Sequence, residues 1–380
     1  MEPVLPQELD YHGRRNLGSS RVYSSCPSTA IYGHDELWQL DINDDRSNRR
    51  ANRAGIIVAG VKEIRNAHPV MKLIAERALT WSQPFHRQDR FKLGLVVEGG
   101  AMRGIISAGM LAGLESLGLL RVFDAVYGAS AGAFNGAYFL AGQASDGVAI
   151  YYENLNSKKF INLWRIFRGK PVVSLAYVLE KVLIQEKPLH WQAVLESPIP
   201  LKIAASSLGH LKTRVLQGFT NREELFTALR ASSEMPLLAG GPVEFQGDRF
   251  LDAGLFQGIP IYAALEDDCS HLLVLLTRPR GAQRKSPNFW DRQVGARIME
   301  RWKKGLGSAY LKMPKMYNET LSFLEGMQKS LKRRPYVFSI SLSRDYPLIE
   351  RLERDPVRLR KAADDGRLAV CLALGGESPE

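Results

Sequence analysis

LGLVVEGGAMRGIISAGMLAGLESLG, residues 93–118, contains three local patterns in immediate succession. LGLVVE is a short apolar run typical of a buried strand, and GGAMRG after it is rich in glycine. In the remainder, the apolar residues recur at helical spacing. The stretch therefore predicts a strand, a tight loop and a helix.

The next stretch repeats this order. RVFDAVYG at 121–128 predicts a second buried strand, and AGAFNGAYFLAG at 131–142 predicts a helix of small residues. Two consecutive strand–helix units are typical of a parallel sheet covered by helices. Further strands are predicted at 200–207, 213–217, 271–277 and 336–341, with a hairpin at 243–252.

Length and composition indicate a globular chain. The protein has 380 residues, of which 45% are hydrophobic, enough for one large α/β core with extensions. Cys26, Cys269 and Cys371 are too scattered for a disulfide framework or a zinc site. The sequence contains no membrane-spanning run or secretory signal, so we expect a cytoplasmic or peripheral membrane protein, with organelle targeting by residues 14–25 as an open alternative.

The positive charge is concentrated towards the C-terminus. Of the net charge of +11, residues 278–361 supply 21 Lys or Arg against 8 Asp or Glu, and the rest of the chain is close to balanced. Within this region NFWDRQVGARIMERWKK, 288–304, predicts an amphipathic helix with Trp290, Val294, Ile298 and Trp302 in one stripe. Such a segment either packs on the core or contacts an anionic membrane surface. Nucleic acid is not expected as a partner, because no binding motif accompanies the charge.

Gly128-Ala129-Ser130-Ala131-Gly132 matches G-x-S-x-G between a predicted strand and a predicted helix. This is the context of a nucleophile elbow, in which the flanking glycines, Gly128 and Gly132, permit a sharp turn and close backbone approach. Ser130 is therefore a candidate nucleophile. A structural Gly-Ser turn is the alternative.

The glycine-rich loop 99–104 precedes the elbow and also lies between a strand and a helix. Its backbone N–H groups, together with the one after the serine, could stabilise a developing oxyanion. The predicted donors are Gly99, Gly100, Ala101, Met102, Arg103, Gly104 and Ala131. Dinucleotide binding is a weaker alternative, because Ala101 occupies the position of the second glycine and no acidic residue follows a second strand at the required distance.

A third feature is Arg249-Phe250-Leu251-Asp252-Ala253-Gly254, in which an acid ends a predicted strand. Asp252 could accept the serine proton if the two side chains come within hydrogen-bonding reach. By itself, Asp-Ala-Gly is a commonplace turn.

Together and in this order, the three motifs resemble those of the patatin-like phospholipases. The resemblance covers about residues 94–360, including ALRASSEMP at 228–236 and VLLTRPRG at 274–281. It is strongest to the bacterial branch, where a tail similar to RLERDPVRLRKAADDG at 351–366 occurs. The resemblance implies a three-layer α/β/α sandwich with a mainly parallel sheet, and lipid acyl hydrolysis by a Ser130–Asp252 dyad without histidine.

The resemblance also suggests the domain organisation. We predict a peripheral arm at 1–90, a catalytic core at 91–281 and a basic extension at 282–380 that completes or flanks the core. Two positions depart from the usual family pattern: Ala101 replaces a glycine, and Asp252-Ala253-Gly254 replaces Asp-Gly-Ala or Asp-Gly-Gly. Either alanine would be strained if its φ angle were positive.

Three alternatives remain at this point. A Ser-Asp-His hydrolase would use His271, although this residue begins a buried strand. A non-catalytic lipid-binding or membrane-surface protein could retain the same scaffold. An acyltransferase would use the same acyl-enzyme with an alcohol as acceptor. No metal or organic cofactor is expected, and the lipid headgroup, acyl length and oligomeric state are left open.

Overall fold

The computed structural model describes residues 68–374, and the strands in this range form one eight-stranded sheet. The strands are β1 Leu93–Val97, β2 Ala125–Ala129, β3 Leu201–Ser207, β4 Lys212–Leu216, β5 Val243–Phe245, β6 Asp248–Leu251, β7 His271–Leu275 and β8 Tyr336–Ile340. Their order is β5-β6-β3-β2-β1-β7-β8, and β4 pairs with β3. The pairs among β3, β2, β1, β7 and β8 are parallel, whereas β4, β5 and β6 are joined by antiparallel pairs.

Helices cover both faces of the sheet. They are α1 Pro69–Leu79, α2 Ile105–Ser116, α3 Ala131–Leu140, α4 Ala144–Glu153, α5 Trp191–Leu195, α6 Arg222–Ser233, α7 Ile261–Glu266, α8 Ala296–Trp302, α9 Leu306–Lys329 and α10 Pro356–Ala373. Within β1, Leu95 and Val97 belong to a large core cluster with α2 and α3, while Val96 belongs to a second cluster with α7 and α9. Because side chains alternate along a strand, these clusters lie on opposite faces. The predicted three-layer α/β/α architecture is confirmed.

The predicted elements around the two motifs are present, with one shift at β2. Its start is at Ala125 instead of residue 121, because Leu120–Val122 forms a 3₁₀ turn. The Asp124 carboxylate accepts a hydrogen bond from Arg77 Nη1 at 2.7 Å and one from Arg87 Nε at 2.8 Å. It also accepts the N–H of Leu93 at 2.7 Å, which joins the starts of β1 and β2.

Helix α1 extends the core on the N-terminal side of β1. Val70, Leu73 and Ile74 are buried in the large cluster. The sequence analysis placed these residues in the peripheral arm at 1–90, because the family resemblance begins only at about residue 94. The remainder of the predicted arm, residues 1–67, lies outside the described residues.

The basic extension supplies an edge strand and two long helices. β8 pairs with β7, and α10 packs against α2 at close range. A Cβ atom on Gly109 would lie 2.1 Å from Ala363 O, and one on Gly366 would lie 2.5 Å from Ile106 O. The two helices therefore approach each other at positions where only hydrogen is tolerated.

The predicted amphipathic stripe at 288–304 is divided between core and surface. Ile298 and Trp302 pack against a small cluster with Leu255 and Met299, whereas Trp290 and Val294 are exposed. Among the described residues, no helix combines the length and apolar character needed to cross a membrane.

Candidate functional site

Ser130 lies at the sharp turn between β2 and α3. Its backbone has φ 54° and ψ −127°, a conformation that non-glycine residues rarely adopt. The flanking glycines make this turn possible. A Cβ on Gly128 would lie 2.5 Å from Ala133 Cα, and one on Gly132 would lie 2.3 Å from Val97 O. The G-x-S-x-G spacing therefore corresponds to a tight, strained turn at the carboxyl edge of the sheet.

The strained backbone of Ser130 is fixed by a second serine. The Ser130 N–H donates to Ser232 Oγ at 2.8 Å, and Ser232 Oγ donates to Ala204 O at 2.6 Å. Ser232 is fully buried at the end of α6. The hydroxyl thus connects the elbow to β3. The sequence analysis included Ser232 in the stretch 228–236 that resembles the family but assigned it no role, because its two partners are distant in sequence.

The glycine-rich loop passes directly beside the elbow. A Cβ on Gly99 would lie 2.2 Å from Ala129 O, 3.0 Å from Ser130 Cβ and 3.1 Å from Ala131 N. Gly100 has φ 147° and Ala101 has φ 52°. The condition under which Ala101 would be strained is therefore met, at a cost of roughly 1–2 kcal/mol for an L-residue in the left-handed region.

The loop contains both engaged and available N–H donors. Met102 N–H donates to Arg351 O at 3.2 Å, and Arg103 N–H donates to Gly100 O at 3.2 Å. These two of the predicted donors are therefore occupied within the protein. Within residues 68–374, no acceptor is found for the N–H groups of Gly99, Gly100 and Ala131, or for that of Ala101. Ala101 and Ala131 each begin a helical turn, where N–H groups lack an intrahelical acceptor.

A buried network of polar side chains holds the glycine-rich loop in position. Asn135 Nδ2 donates to Gly104 O at 2.9 Å and to Ser107 Oγ at 3.1 Å, and Tyr151 OH donates to Asn135 Oδ1 at 2.9 Å. Ser107 Oγ also contacts Glu98 O at 3.0 Å. The loop is thereby fixed to α2, α3 and α4. Sequence reasoning missed these residues, because their connection is made only by tertiary packing.

Asp252 follows β6 and is brought to the same edge of the sheet as Ser130. Its Oδ1 accepts the N–H of Gly254 at 2.8 Å. Among the described residues, its buried Oδ2 has no partner within normal hydrogen-bond limits. The Ser130 hydroxyl is nevertheless near enough to lower the pKa of this carboxyl group. Long or poorly aligned contacts are common between a nucleophile and its base before substrate binds.

Burial dominates the electrostatics of Asp252 and raises its pKa above the ordinary value of 3.8. The Ser130 hydroxyl, the Gly254 N–H and the charges of Arg351 and Arg284 oppose this shift. Ala253 begins a 3₁₀ turn and is not among the described residues with positive φ. The strain considered for this alanine is therefore absent.

Two basic side chains, the buried Arg103 of the loop and the partly buried Arg284, share the surroundings of Glu98. Burial lowers the pKa of Arg103 to about 10 and that of Arg284 to about 9, and Glu98 opposes both shifts. Glu98 accepts hydrogen bonds from Tyr317 OH at 2.7 Å and from the Thr277 N–H at 2.6 Å. This cluster joins the loop to β7 and α9.

His271 lies at the opposite end of the sheet. It begins β7 and pairs with Leu93, whereas Ser130 follows the carboxyl end of β2. By strand register His271 is level with Asp124, six residues before Ser130, which corresponds to about 20 Å along the strands. The His271 ring packs against Phe91 and Tyr336, and burial lowers its pKa to about 4. The Ser-Asp-His alternative is therefore wrong for His271, because a parallel sheet places the two ends of its strands apart.

An apolar cavity of about 580 Å³, counting its open mouth, opens at Ser130. Phe134 and Tyr138 of α3 form part of its wall, and Leu155, Phe160 and Leu175 from the segment after α4 form another part. The apolar lining suits an acyl chain. In residues 68–374, no group of three or more His, Cys, Asp or Glu side chains is arranged to bind a metal ion.

Comparison with known proteins shows which family part of the chain resembles. Residues 95–265 match the sequence model described as patatin-like phospholipase. The uncharacterized protein YjjU of Escherichia coli (strain K12) is 26% identical over 214 residues, which are 56% of this chain and 57% of that protein. The chain thus matches a little over half the length of this relative. A solved structure, VipD from Legionella pneumophila, aligns over 75% of this chain and 66% of its own, with 13% identity and a TM-score of 0.40.

Proposed function

Because the chain carries a domain of the patatin-like phospholipase family at residues 95–265, we propose that it hydrolyses acyl esters of lipids through a Ser130–Asp252 dyad. The observation that carries the proposal is the position of Ser130. It occupies a strained turn between a buried carboxylate, a loop with unoccupied N–H donors and the mouth of an apolar cavity. Glycerophospholipids are the substrate class that we favour.

In the acylation step, Ser130 Oγ attacks the ester carbonyl and Asp252 accepts the hydroxyl proton. The negative charge that develops on the carbonyl oxygen is stabilised by N–H groups of Gly99, Gly100 and Ala101 and by that of Ala131. Asp252 then returns its proton to the leaving alkoxide, and the acyl group remains bonded to Ser130. The apolar cavity holds the acyl chain during this step.

In the deacylation step, Asp252 takes a proton from a water molecule, and the resulting hydroxide attacks the acyl carbonyl. The oxyanion forms at the same donors, and the fatty acid leaves as Ser130 regains its proton. A raised pKa suits Asp252 to this exchange, because it makes the carboxylate a stronger base and brings its pKa closer to the operating pH, where it can both accept and release a proton in each cycle. If an alcohol attacked the same acyl-enzyme intermediate in place of water, the protein would act as a transacylase.

The test compares wild type with Ser130→Ala and Asp252→Asn on p-nitrophenyl butyrate and on phospholipid vesicles. We expect both variants to remain folded and to lose activity by about 10³-fold or more. A fluorophosphonate probe should label wild type at Ser130, located by mass spectrometry of the peptide, and should not label Ser130→Ala. His271→Ala is the matched control, since it removes a potential base at the far edge of the sheet. Full activity in Ser130→Ala, or loss of chemistry in a folded His271→Ala, would contradict the proposal.

A further inference from the structure

Four large apolar side chains are exposed within five consecutive residues of the segment after α4. Leu163 is 63% exposed, Trp164 75%, Ile166 63% and Phe167 79%. They belong to a 3₁₀ turn, Leu163–Arg168, which we call the apolar tip. The rings of Trp164 and Phe167 lie 5.6 Å apart at the tip. Clusters of this kind on a protein surface mark interaction sites.

The apolar tip stands on a rigid base. Ile161 and Val173 form an antiparallel bridge, and Asn162 N–H donates to Val172 O at 2.9 Å. Phe160 and Val173 are buried in the large core cluster, with exposed fractions of 5% and 0%. The buried base therefore fixes the apolar tip in its exposed position.

The charged side chains on the chain segment that carries the apolar tip have one sign. Between residues 154 and 179 the chain has five cationic side chains and no Asp or Glu, and the cations are Lys158, Lys159, Arg165, Arg168 and Lys170. Within the described part of the chain, none of them is in an ion pair. Arg165 instead donates to Lys159 O at 2.9 Å and so supports the turn. The surface thus combines exposed aromatic residues with unpaired positive charge.

The base of the apolar tip is also a wall of the cavity at Ser130. Phe160 and Leu175, on the two sides of the bridge, line that cavity. A partner that contacts the tip therefore contacts a segment whose base forms part of the wall of this cavity.

We propose that the apolar tip inserts into the surface of an anionic lipid bilayer while the surrounding cations contact the headgroups. Aromatic and branched apolar residues beside Lys and Arg are the composition that favours the bilayer interface. The tip is too small for a stable protein interface, which buries about 800 Å² per partner. The role of docking in catalysis rests on the proposed lipid hydrolysis, whereas the docking itself does not.

The binding test uses the full chain and sedimentation with vesicles of equimolar phosphatidylcholine and phosphatidylglycerol, beside vesicles of phosphatidylcholine alone. Trp164→Ser/Phe167→Ser removes the aromatic pair of the tip. Phe289→Ser/Trp290→Ser is the matched control, since this pair is also exposed, at 66% and 70%, with rings 5.8 Å apart. We expect the tip variant to bind anionic vesicles about tenfold more weakly or worse, and the control to bind like wild type.

Charge provides an independent arm of the test. Arg168→Gln/Lys170→Gln should weaken binding to anionic vesicles and reduce its salt dependence, while wild type should bind neutral vesicles poorly. Equal binding by wild type and the tip variant, an equal loss in the control, or equal affinity for neutral and anionic vesicles would each overturn the proposal. If the tip variant bound vesicles as well as wild type does but lost a contact with another protein, the tip would bind a protein partner, and the proposal would be overturned as well.

Activity measurements separate this proposal from the proposed hydrolysis. The tip variant should hydrolyse p-nitrophenyl butyrate at the wild-type rate and lose activity only on vesicles. Vesicle binding through the tip without any ester hydrolysis would leave docking intact and refute the hydrolase. Hydrolysis of the soluble ester without vesicle binding would refute docking alone.

Discussion

Replacing Ser232 by Ala should unfold the elbow locally, because this single hydroxyl satisfies two buried backbone groups. Its oxygen accepts the Ser130 N–H at 2.8 Å, and its hydrogen is donated to Ala204 O at 2.6 Å. Ser232 is fully buried. Alanine would leave both backbone groups without a partner in the core.

The expected loss in the free energy of unfolding follows from these two groups. A buried polar group that loses its partner costs about 1–3 kcal/mol, so the pair should cost roughly 2–6 kcal/mol. Catalysis should suffer as well, since the Ser130 backbone at φ 54° is free to relax once its N–H is released. A displacement of about 1 Å at a nucleophile lowers the rate by about a hundredfold.

Urea denaturation followed by circular dichroism measures the first effect, and kcat/KM on p-nitrophenyl butyrate measures the second. Ser233→Ala provides a matched control for stability, because Ser233 is the next residue of the same helix and is 4% exposed. Its Oγ is buried and has no partner among the described residues. Its removal should leave the free energy of unfolding unchanged or raise it by up to about 1 kcal/mol.

Comparing the two serine variants tests whether the hydrogen bonds of Ser232 support the elbow. If Ser232→Ala lost less than about 0.5 kcal/mol, which is the scale of an ordinary surface substitution, the two hydrogen bonds would not be supporting the elbow. Equal losses in both variants would point to helix packing as the cause. A stable Ser232→Ala with full activity would refute the role of this hydroxyl in fixing Ser130.

Three further predictions concern charge and backbone strain. Because burial raises the pKa of Asp252 above 3.8, kcat/KM should fall as the pH drops through that raised pKa, with unit slope, and Asp252→Asn should abolish the inflection. Ala101→Gly should leave the free energy of unfolding unchanged or raise it, because the φ of Ala101 is 52° and glycine adopts that angle without strain. Ala253→Gly should lower the free energy of unfolding by about 1 kcal/mol, because Ala253 does not have a positive φ. Urea denaturation of the two variants measures the difference. Asp267 is held at a pKa of about 2 by hydrogen bonds from two lysines and a tyrosine, against the opposing effect of burial. The stabilisation by the ionised Asp267 carboxylate is fully present above pH 3.8 and is lost as the pH falls through about 2. Because solvent screens this partly exposed carboxylate, Asp267→Asn should lower the free energy of unfolding at pH 7 by about 1 kcal/mol, with the difference from wild type narrowing in acid.

Local sequence patterns were sufficient to predict much of the fold. The apolar runs of β1 and β7 and the helical spacing of α2 are properties of consecutive residues, so the sequence alone indicates them. The start of β2 was predicted too early, because the Asp124 contacts that end the preceding turn come from distant arginines. Helix α1 was missed as a core element for the same kind of reason, since its apolar face is defined by what packs on it.

The sequence by itself determined the chemical identities at the site, through the glycine spacing around Ser130 and the order of the three motifs. Only the tertiary structure decided which groups meet there. It brought Asp252 to the elbow and placed His271 at the other end of the sheet. It also set the φ of Ala101 and committed the Ser130 N–H to Ser232. Motif spacing is fixed by the covalent chain, whereas distances between separate strands depend on how the sheet is assembled.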